Sequence, residues 1–243
     1  MCQAYPKTPK NELKCKERTH GIGNRMQKYG SEIMSTDVVT EAISVYEYRV
    51  KPLYDIVSRV IDLLLSFISL VIALPIVLIA AIAIKFEDGG PVFYSQDRLG
   101  KDGRIFTIFK MRSMKIDAEA NGIQWAETED NRITKVGKFL RKTRIDEIPQ
   151  LYNILIGHMK IIGPRPERPE LAEEICVDLP QFANRLAVKP GLAGLAQVSG
   201  GYDLTPAEKL ALDIEYIEQR GFLLDMKIIL KTVGVVISGK GAR

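Results

Sequence analysis

The stretch from Val57 to Ile84 constrains this chain more than any other. It is apolar apart from Arg59, Asp62 and three serines, and from Leu63 to Ile84 it holds no charge. A run of that length crosses a bilayer as a helix, and a water-soluble core helix of such purity is not expected. Pro75 falls inside it and must kink or break the helix. Cations flank both sides: Arg49, Lys51 and Arg59 before, Lys85, Arg98, Lys101 and Arg104 after. A simple span biases its cations toward one side, and here there is no bias. The reading is a re-entrant helix-break-helix hairpin with both ends on the cytoplasmic face; the alternative is a kinked single span. Just upstream, Tyr46, Tyr48, Arg49, Lys51 and Tyr54 have the composition of a membrane-interface belt.

The rest divides around this segment. Residues 1–45 are polar, mixed in charge and weakly periodic, and read as a disordered extension; no apolar core follows the early lysines, so they do not read as a signal peptide. Residues 46–88 hold the interfacial segment and the membrane helix. Residues 89–243 read as a small catalytic domain. The net charge of +4 is too small to argue for nucleic acid, and no nucleic-acid motif is present. The mild excess suits an anionic membrane surface or a phosphorylated ligand. Cys2, Cys15 and Cys176 are odd in number and lack metal-ligand spacing, so free thiols in a reducing compartment are expected. His20 and His158 belong to no ligand set or nucleophile triad.

Within residues 89–243 the expected fold class is α+β, mostly helical. Val92–Gln96 and Ile105–Met111 read as a β-hairpin around Gly100–Gly103, with Lys110 and Arg112 closing its second strand, either as solvated edge charges or aimed at a phosphate. Residues 113–131 read as a short helix and a loop carrying Trp125, an interface anchor or a substrate contact. A basic helix follows over 133–141. Residues 170–187 read as one helix and 188–201 as a glycine-rich loop that matches neither a Walker A nor a Rossmann pattern. Thr205-Pro206-Ala207-Glu208 is a capping box opening a helix to Gly221. Asp213 on that helix faces either solvent or the site. Residues 222–237 read as an amphipathic helix that packs on the domain or lies in the membrane interface.

The stretch Arg141-Lys142-Thr143-Arg144-Ile145-Asp146-Glu147-Ile148-Pro149-Gln150 places two carboxylates after three cations. Ile148, Leu151, Tyr152 and Leu155 recur at helical spacing, and Pro149 fits a first turn. Asp146 is therefore expected at a helix N-terminus, where exposed N–H groups favour its ionised form and would also hold a phosphate. Serving the helix as a cap is the plainer role for it. Downstream, Gly163-Pro164-Arg165-Pro166 flanks one arginine with prolines, a stiff presentation suited to bidentate phosphate binding.

Taken in order, the apolar segment with its central proline, Lys110-Met111-Arg112-Ser113-Met114, Arg144-Ile145-Asp146-Glu147-Ile148-Pro149-Gln150, Gly163-Pro164-Arg165-Pro166 and Lys189-Pro190-Gly191-Leu192-Ala193-Gly194 resemble the bacterial sugar transferases, the monotopic phosphoglycosyl transferases. The resemblance covers Tyr46 to the C-terminus. It implies transfer of a sugar 1-phosphate from a UDP-sugar to undecaprenyl phosphate with release of UMP, at the cytoplasmic face of the bacterial plasma membrane, as the first membrane step of exopolysaccharide, capsule or glycoconjugate synthesis. It implies Asp146 as the nucleophile that carries a covalent phosphosugar, and Glu147 as its support in holding Mg²⁺ or handling a proton. Lys110, Arg141 and Arg165 then match positions that contact phosphate or organise the dyad, Asp213 matches a further acidic site position, and Arg112 is taken with Lys110 as a phosphate contact. A homodimer is left open. Two departures stand out: Leu74-Pro75 replaces a common Ser-Pro break, and Ser199-Gly200-Gly201 replaces an Asn-Gly-Arg run. The rival class, a catalytically silent membrane scaffold of polysaccharide assembly, would not need both carboxylates; a kinase would need a phosphate loop that is absent.

Overall fold

The computed structural model describes residues 48–120 and 130–238. The expectations for residues 1–45 and for Trp125 fall outside them. The described chain is mostly helical with two small two-stranded sheets.

Helix α1 runs without interruption from Pro52 to Asp88, 37 residues, with Pro75 inside it, so the helix-break-helix expected at Pro75 is corrected to one continuous helix. Its polarity is inverted relative to a water-soluble helix. The buried positions are Tyr54, Ser58, Asp62, Ser66, Ala80 and Ile84, mostly small or polar and spaced about one turn apart. The large apolar side chains point outward: Phe67 is 61% exposed, Ile72 68% and Ile79 69%. No residue from Phe67 to Ile79 is buried. An apolar surface of this extent is far beyond what a soluble monomer tolerates, and the helix is long and apolar enough to cross a membrane.

Both ends of α1 are fastened to the same domain. Near its start, Arg59 donates to the Ile154 and Leu155 carbonyls at 2.6 and 2.9 Å, Lys160 donates to Ser58 Oγ at 2.7 Å, and the Ile161 N–H donates to Asp62 Oδ1 at 3.1 Å. At its end, Asp88 pairs with Arg112, and Glu87 Oε1 accepts from the Lys135 N–H at 2.8 Å. Glu87 thereby satisfies N–H groups at the start of α2, Lys135–Thr143, a helix that Thr134 also caps through the Gly137 N–H at 2.9 Å.

Strands β1 (Phe93–Leu99) and β2 (Ile105–Met111) form the expected antiparallel hairpin, with Leu99 opposite Ile105. After α2 come α3, Gln150–Leu155, and β3, Lys160–Ile162. The helix expected over 170–187 is divided. It is α4, Pro169–Asp178, and then a 3-10 helix over Pro180–Ala187, because Pro180 cannot continue the α-helical hydrogen bonding. The glycine-rich loop expected over 188–201 is instead ordered secondary structure: β4 (Gly191–Ala193) pairs in parallel with β3, and α5 (Leu195–Ser199) follows. Its glycines serve backbone packing. A side chain at Gly163 or Gly191 would overlap the other's main chain.

Helix α6, Pro206–Gln219, carries the predicted capping box between Thr205 and Glu208. Helix α7, Phe222–Ser238, packs one face on the domain, as one of its two readings had it. Ile228 is fully buried with Ile162, Leu195, Tyr216 and Ile217, whereas Leu223 and Ile237 are 91% and 81% exposed.

Candidate active site

Arg144 closes α2 in the left-handed region, φ 60°, with its N–H on the Arg141 carbonyl at 3.2 Å. Non-glycine residues rarely adopt that conformation, and it persists only where the surroundings impose it. The bend sends the chain into a single 3-10 turn, Ile145–Glu147, that holds both carboxylates. This corrects one expectation. Asp146 does not start an α-helix; α3 begins only at Gln150, just after Pro149, and is six residues long. So short a helix has little dipole to offer, and the dyad's electrostatics come from nearby side chains.

Those side chains treat the two carboxyls in opposite ways. Burial pushes the Asp146 carboxyl up to about 6, the adjacent Glu147 adds to this, and Lys110, Arg141 and Arg144 oppose it. Asp146 is 6% exposed and its Oδ1 has no hydrogen-bond partner. Burial would also raise Glu147, but the Arg165 guanidinium and the Lys110 ammonium outweigh it and hold that carboxyl at about 2. Glu147 Oε1 lies 2.5 Å from Arg165 Nη2 and 3.8 Å from both Lys110 Nζ and Arg144 Nη1. The ammonium is depressed in turn, by burial and then by Arg165, to about 8. One carboxylate is thus locked ionised among cations. Its neighbour is buried, has an uncommitted oxygen, and ionises near neutral pH.

The cluster is assembled from three elements. Lys110 comes from β2, the dyad and Arg144 from the turn after α2, and Arg165 from the loop after β3. Asn153 on α3 fixes their register. Its Oδ1 accepts from the Phe109 N–H at 3.1 Å and its Nδ2 donates to the Thr107 carbonyl at 2.7 Å, so the helix after the dyad is tied to the strand that carries Lys110. Arg141 donates through Nε to Ser113 Oγ at 2.8 Å and its charge acts on Asp146.

Two residues expected here are elsewhere. Arg112 is 7% exposed and turns to Asp88 at the end of α1, so it anchors the membrane helix. Asp213 faces neither solvent nor the dyad; it is 1% exposed and pairs with Arg185. Sequence reasoning singled out neither Arg144, whose role depends on a backbone conformation, nor Arg185, which no motif marks. Beside Glu147 and Arg165 lies a cavity of about 580 Å³, walled mainly by apolar side chains including Ile148, Leu151, Val198 and Val233.

Among the described residues no group of three or more His, Cys, Asp and Glu side chains converges as a metal cage. Mg²⁺ at phosphate-transfer sites needs none, because one or two carboxylates, water and the substrate's phosphates complete its shell. The Asp146 carboxylate, which spends none of its charge on an ion pair with another described residue, fits that donor set. Glu147 Oε1 is already taken by three cations and fits it less well.

The sequence profile of the bacterial sugar transferases matches residues 53–239. A UDP-N-acetylgalactosamine-undecaprenyl-phosphate N-acetylgalactosaminephosphotransferase of Aeromonas hydrophila is 40% identical over 195 residues, 79% of this chain and 46% of the relative. A putative undecaprenyl-phosphate N-acetylgalactosaminyl 1-phosphate transferase of Bacillus subtilis (strain 168) is 49% identical over 133 residues, 55% of this chain and 74% of the relative. A UDP-glucose:undecaprenyl-phosphate glucose-1-phosphate transferase of Caulobacter vibrioides is 36% identical over 193 residues, 77% and 72% of the two chains. The chain spans about half the length of the first of these. The profile match takes in α1, the dyad turn and the Arg165 loop together, and the chain belongs to the bacterial sugar transferase family.

Proposed function

We propose that the chain transfers a sugar 1-phosphate from a UDP-sugar to undecaprenyl phosphate, releasing UMP. The observation that carries this reading is the pair of carboxyls in opposite electrostatic states, one of them with an uncommitted buried oxygen. In the first step Asp146 Oδ1 attacks the sugar-bearing phosphorus. The bond from that phosphorus to the bridging oxygen breaks, and UMP leaves with the electron pair. In the second step an oxygen of undecaprenyl phosphate attacks the same phosphorus, the Asp146 ester bond breaks, and the carboxylate returns. Both substrates and the nucleophile are anions, so attack requires their charge to be neutralised. Arg165, Lys110 and Arg144 supply three cations, held in place by Glu147. Mg²⁺, when bound at Asp146 and the donor phosphates, would supply further neutralisation of the diphosphate.

Helix α1 delivers the site to the acceptor's depth. Because its two ends are fastened to one domain while residues 67–79 are without buried positions, the re-entrant geometry is favoured over a straight span. A straight helix of this length would reach about 55 Å and separate its ends across the bilayer. This geometry puts both ends of α1 and the domain on one side of the membrane, and we assign that side to the cytoplasm. Single cysteines placed either side of Pro75 and at both ends of α1, labelled in sealed vesicles of known orientation, test it; both ends should react from the same side, and reaction from opposite faces refutes the hairpin.

The chemistry is tested with a panel of UDP-sugars, polyprenyl phosphate and Mg²⁺. The wild-type chain should release UMP, and donor labelled in the sugar should become covalently attached in the absence of acceptor. Asp146→Asn should abolish both while the chain still folds; UMP release by that variant at near wild-type rate removes Asp146 from the role.

A further inference from the structure

Arg165 acts from a loop whose two prolines restrict φ but do not determine where the loop sits. Its carbonyls do. The Pro164 carbonyl accepts from the Gly191 N–H at 2.9 Å, and the Glu167 carbonyl accepts from the Leu99 N–H at 2.9 Å. Between them, the Arg165 carbonyl accepts from Arg185 Nη2 at 2.8 Å and the Pro166 carbonyl from Arg98 Nη1 at 3.1 Å. Four consecutive carbonyls are held by four donors from β4, β1 and the 3-10 helix before β4.

The donor to Arg165 itself is the most heavily supported of the four. Arg185 is 3% exposed, and its guanidinium lies 4.7 Å from the Phe182 ring centre. Its Nε donates to Asp213 Oδ2 at 2.9 Å and its Nη1 to Glu167 Oε1 at 3.2 Å, while Lys209 also pairs with Glu167. Buried Arg185, half-buried Lys209 and two buried carboxylates thus lie behind the loop. Such a cluster is a poor source of stability, since apolar side chains of equal volume do as well or better. What it does supply is direction: with three of its five N–H donors placed by three separate acceptors, the fork has one orientation.

We propose that Arg185 is a positioning residue for the transfer reaction: through the Arg165 carbonyl it sets the Arg165 guanidinium against Glu147, and Asp213 and Glu167 hold Arg185 in register. The geometry stands on its own contacts; its consequence for turnover rests on the transferase reading above. Asp213 then affects activity from behind the site, without touching substrate.

The test uses the full chain in lipid nanodiscs. Arg185→Lys keeps the buried charge but not the reach of the fork, and Arg185→Gln with Asp213→Asn removes both charges so that no buried carboxylate is stranded there. The first readout is hydrogen exchange, which needs no turnover. The Gly191 and Leu99 N–H groups, whose hydrogen bonds the Pro164 and Glu167 carbonyls of the loop accept, should exchange about tenfold faster or more in both variants, with the rest of the β1–β2 hairpin unchanged; unaltered exchange at both overturns the proposal. The second is a double-mutant cycle on kcat/KM for the UDP-sugar. Either variant should lower it about ten- to a hundredfold in the wild-type background, and less than about threefold when Arg165→Ala is already present. An equal loss in both backgrounds means that Arg185 serves only the fold, and also overturns it. If the wild-type chain releases no UMP from any donor, the transferase reading fails, and the exchange readout still decides whether Arg185 sets the loop.

Discussion

Asn153→Asp is the substitution that best separates the geometry of this site from its charge. The wild-type amide is fully buried and makes two hydrogen bonds to β2, accepting from the Phe109 N–H and donating to the Thr107 carbonyl. Aspartate is nearly isosteric and keeps the acceptor for Phe109. On the other side it places an oxygen against the Thr107 carbonyl, 2.7 Å away in the wild type, where two acceptors repel. Losing the bond costs about 1 kcal/mol and leaving the buried groups unmatched about 2 more, so about 3 kcal/mol in all. For a chain of this size that corresponds to about 6–12 °C in melting temperature. The penalty depends on pH. Burial raises the new carboxyl above its unfolded value, and the protonated form can donate to the Thr107 carbonyl. A raised carboxyl favours the fold at low pH and loses that contribution as pH rises through the folded value. Melting of the solubilised chain, followed by circular dichroism at pH 5 and pH 8, should therefore show the deficit shrinking at pH 5. A variant within about 2 °C of wild type at pH 8, or one that is worse at pH 5 than at pH 8, would refute the assignment of Asn153 as the link that registers α3 on β2.

Other outcomes follow from the same site. The donor kcat/KM should rise with pH through about 6 as Asp146 ionises and fall through about 8 as Lys110 loses its proton, a profile read from initial rates of UMP release. Asp146 has an opposite effect on stability: its folded value lies above the ordinary 3.8, so its contribution is full below that value and is lost as pH rises through about 6, which Asp146→Asn should flatten in a melting series. Gly137→Ala puts a methyl group onto the main chain of Ser113, the residue that holds Arg141, so it should lower the melting temperature and shift α2 with the dyad turn behind it, cutting kcat more than KM. Arg144→Gly removes the strain of φ 60° together with one cation facing Glu147; activity should fall about tenfold or more while thermal stability is unchanged or higher, and a fall in both would mean the side chain is structural.

Much of this arrangement was legible in the sequence because it rests on local rules. The membrane helix follows from an uncharged apolar run, the β-hairpin from alternating apolar residues around Gly100–Gly103, and the start of α6 from Thr205 and Glu208. The meeting of Lys110, Asp146, Glu147 and Arg165 came through resemblance rather than local rules, since Lys110 and Arg165 are 55 positions apart and no periodicity joins them. What local rules missed depends on long-range pairing. The β3–β4 pair is three residues a side, and its glycines look like loop chemistry until Gly163 and Gly191 are seen back to back. Arg112 and Asp213 carry the right charges, but the partners that claim them, Asp88 and Arg185, are chosen by the fold. The left-handed Arg144 was unreadable because nothing in its identity favours φ above zero; α2 and the dyad turn impose it.

The fastening of both ends of α1 to one body has an electrical consequence. A potential of 100 mV does about 2.3 kcal/mol of work on each elementary charge carried across the membrane. Arg59 is tied to the Ile154 and Leu155 carbonyls, and Asp88, at the far end, is tied to Arg112 on the same domain. In the re-entrant geometry proposed above, the segment returns to its side of entry and moves neither charge through the field. Its insertion, and catalysis once inserted, should then run alike in energised and in depolarised membranes.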